Sequence, residues 1–202
     1  MLRVALTGGI ATGKSHVLNE LRQRGVPCLD ADQLAHGVTA AGTVATQAIR
    51  ERFGPDVIDA AGAVDRRKLG AIVFADEQAR RDLEAIVHPG VRRAIAAGLR
   101  ALELSERPAL AVVDIPLLYE AGRASDFDRV VATVCSRDRQ IARLIDRGMS
   151  ESEAEQRLAA QLPADAKAER ADFVIRTDGS FAETAAQVDT IVAALRKMAA
   201  TY

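Results

Sequence analysis

Tryptophan is absent from this chain of 202 residues, and phenylalanine and tyrosine together bring the aromatic content to only 3 %. A core built from such a chain rests on Ala, Val, Leu and Ile, within an apolar fraction of 49 %. Cysteine is scarce as well. Cys28 and Cys135 are the only two and lie far apart, which excludes a disulfide framework and suits buried thiols in a reducing compartment. No run of 18 apolar residues occurs, so no membrane span is expected. Residues 1–10 are too short and end in too much glycine for a secretory signal, so a cytoplasmic location is expected. Charge of one sign is missing too: 27 basic and 28 acidic residues leave a net charge of −1. That excludes a broad nucleic-acid surface while allowing a local basic pocket. His16, His36 and His88 share no metal-ligand spacing, so no zinc site is expected. Asparagine occurs once, as Asn19, so an Asn-Lys-x-Asp element for reading guanine is absent. Lysine is rare: Lys14, Lys68, Lys167 and Lys197 stand against 23 arginines.

One of those four lysines sits in a motif. Gly8-Gly9-Ile10-Ala11-Thr12-Gly13-Lys14-Ser15 fits G-x-x-x-x-G-K-[ST], a phosphate-binding loop. Its context fits as well. Residues 2–7 form a short apolar run suited to a buried strand, and residues 16–24 read as an amphipathic helix with Val17, Leu18 and Leu21 on one side. Glycine at positions 8 and 13 permits backbone conformations that a Cβ opposes. The loop amides and the positive end of the following helix then form an anion site. In such a loop the lysine reaches the β- and γ-phosphates, and the Ser15 hydroxyl is placed to ligate Mg²⁺. A chance glycine turn before a helix is the alternative reading. The rarity of lysine counts against it, because arginine's planar fork does not replace a compact ammonium in such a cradle.

Five apolar runs, 2–7, 26–30, 109–115, 128–135 and 172–176, read as strands, each followed by helical sequence. That alternation predicts an α/β fold with a five-stranded parallel sheet covered on both faces. Residues 31–105 contain no convincing strand. They read as helices at about 31–38, 43–53, 66–74, 76–87 and 89–105, with Pro89 at a first helical position, and they predict an inserted helical lobe. Residues 136–171 form a second unusual region. Ser150-Glu151-Ser152-Glu153 fits a capping box that opens a helix ending near Leu162, before Pro163. The core is then about 1–30, 106–135 and 172–202 within a single domain.

Asp30 and Asp32 end the second strand, on the side of a parallel sheet where ligands bind. Either can accept a proton from a substrate hydroxyl or orient it, with Asp32 the first choice, and either can equally serve as a helix cap. Asp114 ends the third strand and is a candidate Mg²⁺ ligand or a strand-end turn residue. The arginines of 136–171, taken as a group, read as a lid that closes over a triphosphate. These features suit a small-molecule kinase. A nucleotide-dependent switch and a kinase of another small acceptor, such as a nucleoside monophosphate, are the alternatives.

Several blocks together resemble the dephospho-CoA kinase family, over about residues 3–195. They are Leu6-Thr7-Gly8-Gly9-Ile10, Asp30-Ala31-Asp32 with His36, Arg67-Lys68-Leu69, Leu83 to Pro89, and Asp114-Ile115-Pro116-Leu117-Leu118-Tyr119-Glu120. Gln140, Arg143, Leu144 and Arg147 follow, then Gln161, Lys167 and Ala171-Asp172-Phe173-Val174-Ile175. The resemblance implies a three-layer P-loop kinase fold with a helical CoA-binding lobe and a helical lid. It implies transfer of the ATP γ-phosphate to the ribose 3′-hydroxyl of 3′-dephospho-CoA, with Mg²⁺, in the last step of coenzyme A synthesis. On that basis Gly8 to Ser15, His16 and Arg147 hold ATP, and Lys14, Asp32 and Arg143 are catalytic. Asp30, Asp32, His36, Arg67, His88, Pro116, Leu117, Leu118 and Glu120 are expected near the acceptor. The chain departs from the family pattern at three places: Ala11 for glycine, His16 for threonine, and Arg176-Thr177-Asp178-Gly179 for Asp-Asn-Ser/Asn-Gly.

Overall fold

The computed structural model describes residues 1–201. The strands are β1 (Leu2–Gly8), β2 (Cys28–Asp30), β3 (Leu110–Asp114), β4 (Arg129–Val134) and β5 (Phe173–Arg176). They form one sheet in the order β2-β3-β1-β4-β5. β1 is central and pairs in parallel with β3 (Val4 opposite Val112) and with β4 (Gly8 opposite Thr133). β4 pairs in parallel with β5. The helices are α1 (Lys14–Gln23), α2 (Ala31–Val38), α3 (Val44–Phe53), α4 (Arg66–Ala75), α5 (Glu77–Ser105), α6 (Arg137–Ile145), α7 (Glu151–Ala159), α8 (Ala164–Ala168) and α9 (Phe181–Ala199). None of the described helices is long and apolar enough to cross a membrane.

The chain divides into two compact units, residues 1–29 with 102–202 and residues 30–101. In the first, alternate residues of β1 face opposite sides of the sheet. Leu2, Val4 and Leu6 join Leu110, Val112, Val131 and Ile175 in a core completed by Val17, Leu18 and Leu21 of α1 and by Val188, Ile191, Val192 and Leu195 of α9. Each fully buried side chain of this kind contributes roughly 1.5–3 kcal/mol. Ala5 and Thr7 point to the other face, where α8 lies against β1 and β4. Val4 to Leu6 of β1 and Leu110 to Val113 of β3 are covered on both faces and are continuous apolar runs, while Arg3 near the start of β1 is exposed.

The second unit is helical. Its core joins Ile49, Val57, Val64 and Leu69 with Phe53, Leu83, Ile86 and Val87. Polar caps set the starts of its helices: Asp30 accepts from the amides of Asp32 and Gln33, Thr43 from Thr46, and Asp65 from Arg67 and Lys68. One expectation is corrected here. Residues 76–87 and 89–105 are not two helices joined at His88-Pro89, because α5 runs unbroken through Pro89. Proline inside a helix removes a hydrogen bond and crowds the preceding turn. Here Pro89 lies on the exposed side, while Ala79, Val91, Ile95 and Leu99 bury one continuous stripe. Next to it, a Cβ on Gly90 would meet Val38 Cγ1 at 2.6 Å, so α5 passes close against α2 at that point.

Candidate active site

The link between β1 and α1 is tied down by residues distant in sequence. Gln140 Nε2 donates to the Ile10 carbonyl at 2.6 Å, Arg143 Nη1 to the Ala11 carbonyl at 3.0 Å, and Thr177 Oγ1 to the Thr12 carbonyl at 2.7 Å. Thr12 Oγ1 bonds the Gly9 carbonyl and the Thr133 hydroxyl, each at 2.8 Å. The Ile10 amide donates to Gln161 Oε1 at 3.0 Å. With the carbonyls of residues 9–12 all engaged, none is left to repel an anion. Gly13, at φ 82°, is the N-cap of α1 and brings no side-chain acceptor to the first-turn amides. The first turn also lacks acidic residues. The positive end of α1 therefore stays open to a ligand.

Two backbone positions explain the residue choice. A Cβ on Gly8 would meet Thr133 Oγ1 at 2.1 Å, so only glycine fits against β4. Ala11 is in the left-handed region at φ 60°, a conformation that costs about 1–2 kcal/mol for a residue with a Cβ. Its methyl is buried with Leu144 and Ala154, and its carbonyl is held by Arg143.

The loop lines a cavity of about 510 Å³ together with Pro116, Arg143, Arg147, Thr177 and Phe181. Lys14 Nζ donates to both carboxylate oxygens of Asp114, at 2.5 and 2.7 Å, so the lysine and the acidic strand end meet at the loop. Ser15 is exposed on the cavity wall. The two arginines from 136–171 differ. Arg143 Nη2 donates to the Thr177 carbonyl at 2.7 Å while Nη1 bonds Ala11, so its guanidinium is a strut for the loop. Arg147 is exposed on the cavity wall, and among the described residues no hydrogen bond or ion pair engages its guanidinium. Beneath the loop, burial pushes the Cys135 thiol up from its usual range.

The block 116–120 is split by the fold. Pro116 lines the cavity and Leu117 is exposed, but Leu118 is fully buried, so its side chain belongs to the interior and is not available to a substrate. Glu120 Oε1 accepts from Lys167 Nζ at 2.8 Å and from the Leu162 amide at 3.0 Å. Lys167 is fully buried and also donates to the Pro116 carbonyl at 2.9 Å, joining α8 to the cavity wall. In the helical unit, Asp30 Oδ1 is the α2 cap. The Asp32 carboxylate is exposed, and among the described residues nothing bonds to it. Capping therefore falls to Asp30, which leaves Asp32 available for chemistry. His36 is exposed near the end of α2. A separate cavity of about 290 Å³ in this unit is lined by Leu69, Val73, Leu83 and Val87 with Arg66 and His88; Arg67, the expected arginine, is exposed and does not line it.

Thr133 and Thr177 carry no motif that marks them in the sequence. Lys167 had a usable signal, the same scarcity of lysine that singled out Lys14.

The family model for dephospho-CoA kinase matches residues 2–183. The chain belongs to the dephospho-CoA kinase family. It is thus of a family of ATP-dependent small-molecule kinases. A dephospho-CoA kinase from Anaeromyxobacter dehalogenans (strain 2CP-C) is 48 % identical over 194 residues, covering 96 % of this chain and 92 % of that one. The solved dephospho-CoA kinase from Campylobacter jejuni superposes with a TM-score of 0.73 at 26 % identity, covering 96 % and 97 % of the two chains. Shikimate kinase from Acinetobacter baumannii in complex with shikimate, at 17 % identity and a TM-score of 0.51 over 96 % and 93 %, shares the fold alone.

Proposed function

We propose that this dephospho-CoA kinase family member transfers the γ-phosphoryl group of ATP to the ribose 3′-hydroxyl of 3′-dephospho-CoA, giving CoA and ADP in the last step of coenzyme A synthesis. The acceptor follows from the family. The donor side is carried by one observation, a glycine loop whose carbonyls are engaged and whose following helix opens uncapped onto the cavity.

Phosphoryl transfer needs positioning and charge neutralisation more than covalent chemistry. The first-turn amides of α1 and the loop hold the phosphate tail, and Lys14 brings a compact cation to it. Arg147, with no protein partner among the described residues, neutralises charge as the γ-phosphoryl group moves, while Arg143 keeps the loop in shape. Asp32 takes the proton of the acceptor hydroxyl. Pro116, Leu117 and Glu120, with His36, Arg67 and His88 of the helical unit, contribute to acceptor binding. Residues 136–171 act as the lid and the helical unit as the acceptor lobe. Two unpaired cysteines suit a reducing, cytoplasmic setting.

The residues fit Mg²⁺. The ion favours oxygen donors, retains waters, and uses one or two protein groups beside substrate phosphates. Ser15 and Asp114 supply such oxygens, and among the described residues no group of three His, Cys, Asp or Glu makes an all-protein cage. When bound, the ion neutralises charge on the β- and γ-oxygens.

A coupled assay of ADP release tests the reading, with 3′-dephospho-CoA, shikimate and a nucleoside monophosphate as acceptors. Turnover is expected with 3′-dephospho-CoA alone. Equal or better turnover with another acceptor refutes the assignment.

A further inference from the structure

We infer that Phe181, braced by His16, is the platform on which the nucleotide base stacks, and that this site selects its purine by stacking with little hydrogen-bond readout. The inference rests on the ATP-donor reading above. The cavity lining is chemically mixed. Loop amides, Lys14, Arg143 and Arg147 bring positive charge to it beside one acid, Asp146, and Thr177, Gly179, Phe181, Thr184 and His16 complete it. A nucleotide whose phosphates lie on the loop places its base against another part of this lining.

Phe181 is the first residue of α9. A complete capping box fixes its backbone: Ser180 and Glu183 exchange bonds at 2.7, 2.9 and 3.2 Å. Yet the side chain is 75 % exposed, in a chain with only five phenylalanines. A rigidly mounted, uncovered aromatic ring on a cavity wall is suited to meet a flat apolar partner. His16 lies 4.6 Å away, ring centre to ring centre, tilted by 59°, an arrangement favoured by aromatic pairs. It steadies one side of the ring. His16 Nε2 is itself buried without a hydrogen-bond partner and is 4.0 Å from Glu20 Oε1. The imidazole therefore offers its ring to the cavity and not that nitrogen.

The Thr177, Thr184 and Asp178 side chains near Phe181 are already occupied. Thr177 Oγ1 donates to the Thr12 carbonyl and accepts from Arg143 Nη1 at 3.1 Å. The Thr184 hydroxyl donates to the Ser180 carbonyl at 3.2 Å. Next to the cavity, Asp178 Oδ1 accepts from the Ser136 amide at 2.7 Å. Residues 176–179 contain no asparagine that could read a base edge. Among these side chains an aromatic face remains, and stacking tolerates any base because each has a π-face.

The test is calorimetric titration of the full chain, with Mg²⁺ present, using ATP, GTP and inorganic tripolyphosphate as probes. The proteins are the parent, Phe181→Ala and Phe181→Tyr. Loss of a stacking side chain is expected to weaken ATP and GTP each by about tenfold. Tripolyphosphate, which has no base, is expected to bind all three proteins alike. Phe181→Tyr is expected to restore nucleotide binding. In turnover, the KM for ATP rises in Phe181→Ala while kcat stays near the parent value. The inference is overturned if Phe181→Ala binds ATP and GTP as the parent does, if tripolyphosphate weakens in step with them, or if the parent prefers ATP over GTP by more than about a hundredfold. The two readings separate cleanly. A parent that loses base affinity on Phe181→Ala but never phosphorylates 3′-dephospho-CoA supports the platform and refutes the proposed reaction. Normal phosphorylation with no change in nucleotide affinity does the reverse.

Discussion

Replacing Gly8 by alanine puts a methyl group 2.1 Å from Thr133 Oγ1, 2.7 Å from Thr12 Oγ1 and 2.9 Å from the Thr133 carbonyl oxygen. Close-packed interiors have no room for such contacts. Neither hydroxyl turns away freely. They bond each other at 2.8 Å, Thr12 Oγ1 also holds the Gly9 carbonyl at 2.8 Å, and Thr133 Oγ1 holds the Thr7 carbonyl at 3.3 Å. The third contact is backbone of β4, which pairs with Gly8 in the sheet. Overpacking costs about 1–3 kcal/mol, and a disrupted buried hydroxyl bond adds about 1 kcal/mol. A less flexible unfolded chain returns about 0.4–1 kcal/mol. The net loss is roughly 1–3.5 kcal/mol, a large part of a total of about 5–15 kcal/mol. For a chain of this size each kcal/mol lowers the unfolding midpoint by about 2–4 °C, so thermal denaturation resolves the effect. ATP affinity, measured by calorimetry on the folded protein, falls as well, because the displaced strand end carries the loop. Removing the Thr133 hydroxyl in Gly8→Ala/Thr133→Ala relieves the shortest contact and leaves the one to the β4 carbonyl. The double variant should therefore be more stable than the sum of the single losses predicts, without reaching the parent. A Gly8→Ala protein that unfolds within about 0.5 kcal/mol of the parent and binds ATP equally well refutes the reasoning, since surface-like tolerance has that size.

Lys14→Ala should reduce turnover by about 10²–10³-fold, the scale for one charge-stabilising donor, and Asp32→Asn by about 10²–10⁴-fold, the scale for a general base. Asp32→Asn should keep the parent unfolding midpoint, whereas Lys14→Ala takes the cation from the buried Asp114 carboxylate and should lower it; near-normal turnover in folded Asp32→Asn removes that residue from the chemistry. Lys167→Met breaks a pair whose lysine is fully buried and whose Glu120 is 25 % exposed; partial exposure brings the expected loss toward the lower end of the roughly 3–5 kcal/mol typical of such pairs. Lys167→Met/Glu120→Gln should be the milder variant in urea denaturation, and equal losses in the two refute a charge-based role. Acid should destabilise the fold through Asp178, whose carboxyl is held below its usual range first by the Ser136 amide, and through Glu153 and Glu183, held down by the amides of Ser150 and Ser180. A depressed folded-state value means that the stabilisation is complete above the unfolded value, near pH 4, and is lost as pH falls through the folded values. Thermal scans from pH 6 to 3 should show a smaller decline in Asp178→Asn than in the parent, and identical declines count against this linkage.

The strands lie within one or two residues of the apolar runs that mark them, because burial on both faces of a parallel sheet demands continuous apolar sequence. The capping box at Ser150 was equally visible, and its helix ends at Ala159, a turn earlier than Pro163 suggested. Pro89 misled because local chemistry argues for a break there, whereas packing of Val91, Ile95 and Leu99 decides for continuity. The glycine loop was legible for the same reason that it works: its chemistry is local. Gln140, Arg143 and Gln161 stand in recognisable family blocks, but their hold on the loop was not legible. Gln140, Arg143, Gln161 and Thr177 lie 130 to 165 positions away from the atoms they bond, and nothing in their neighbourhoods announces that contact. Leu118 and Asp30 show the complementary case, in which a recognisable block contains members that also serve packing and capping.

Because anchors from β4, α6, the α7–α8 connection and the residue after β5 complete the loop's hydrogen bonding, the motif is not a transplantable cassette. Grafting residues 8–15 into a foreign scaffold would leave the carbonyls of residues 10–12 competing with the incoming anion. Conversely, a chimera that borrows 136–171 from a relative stays intact only if glutamine, arginine and glutamine arrive at positions 140, 143 and 161. The smallest exchangeable piece of this enzyme is a scattered set of side chains, not a stretch of sequence.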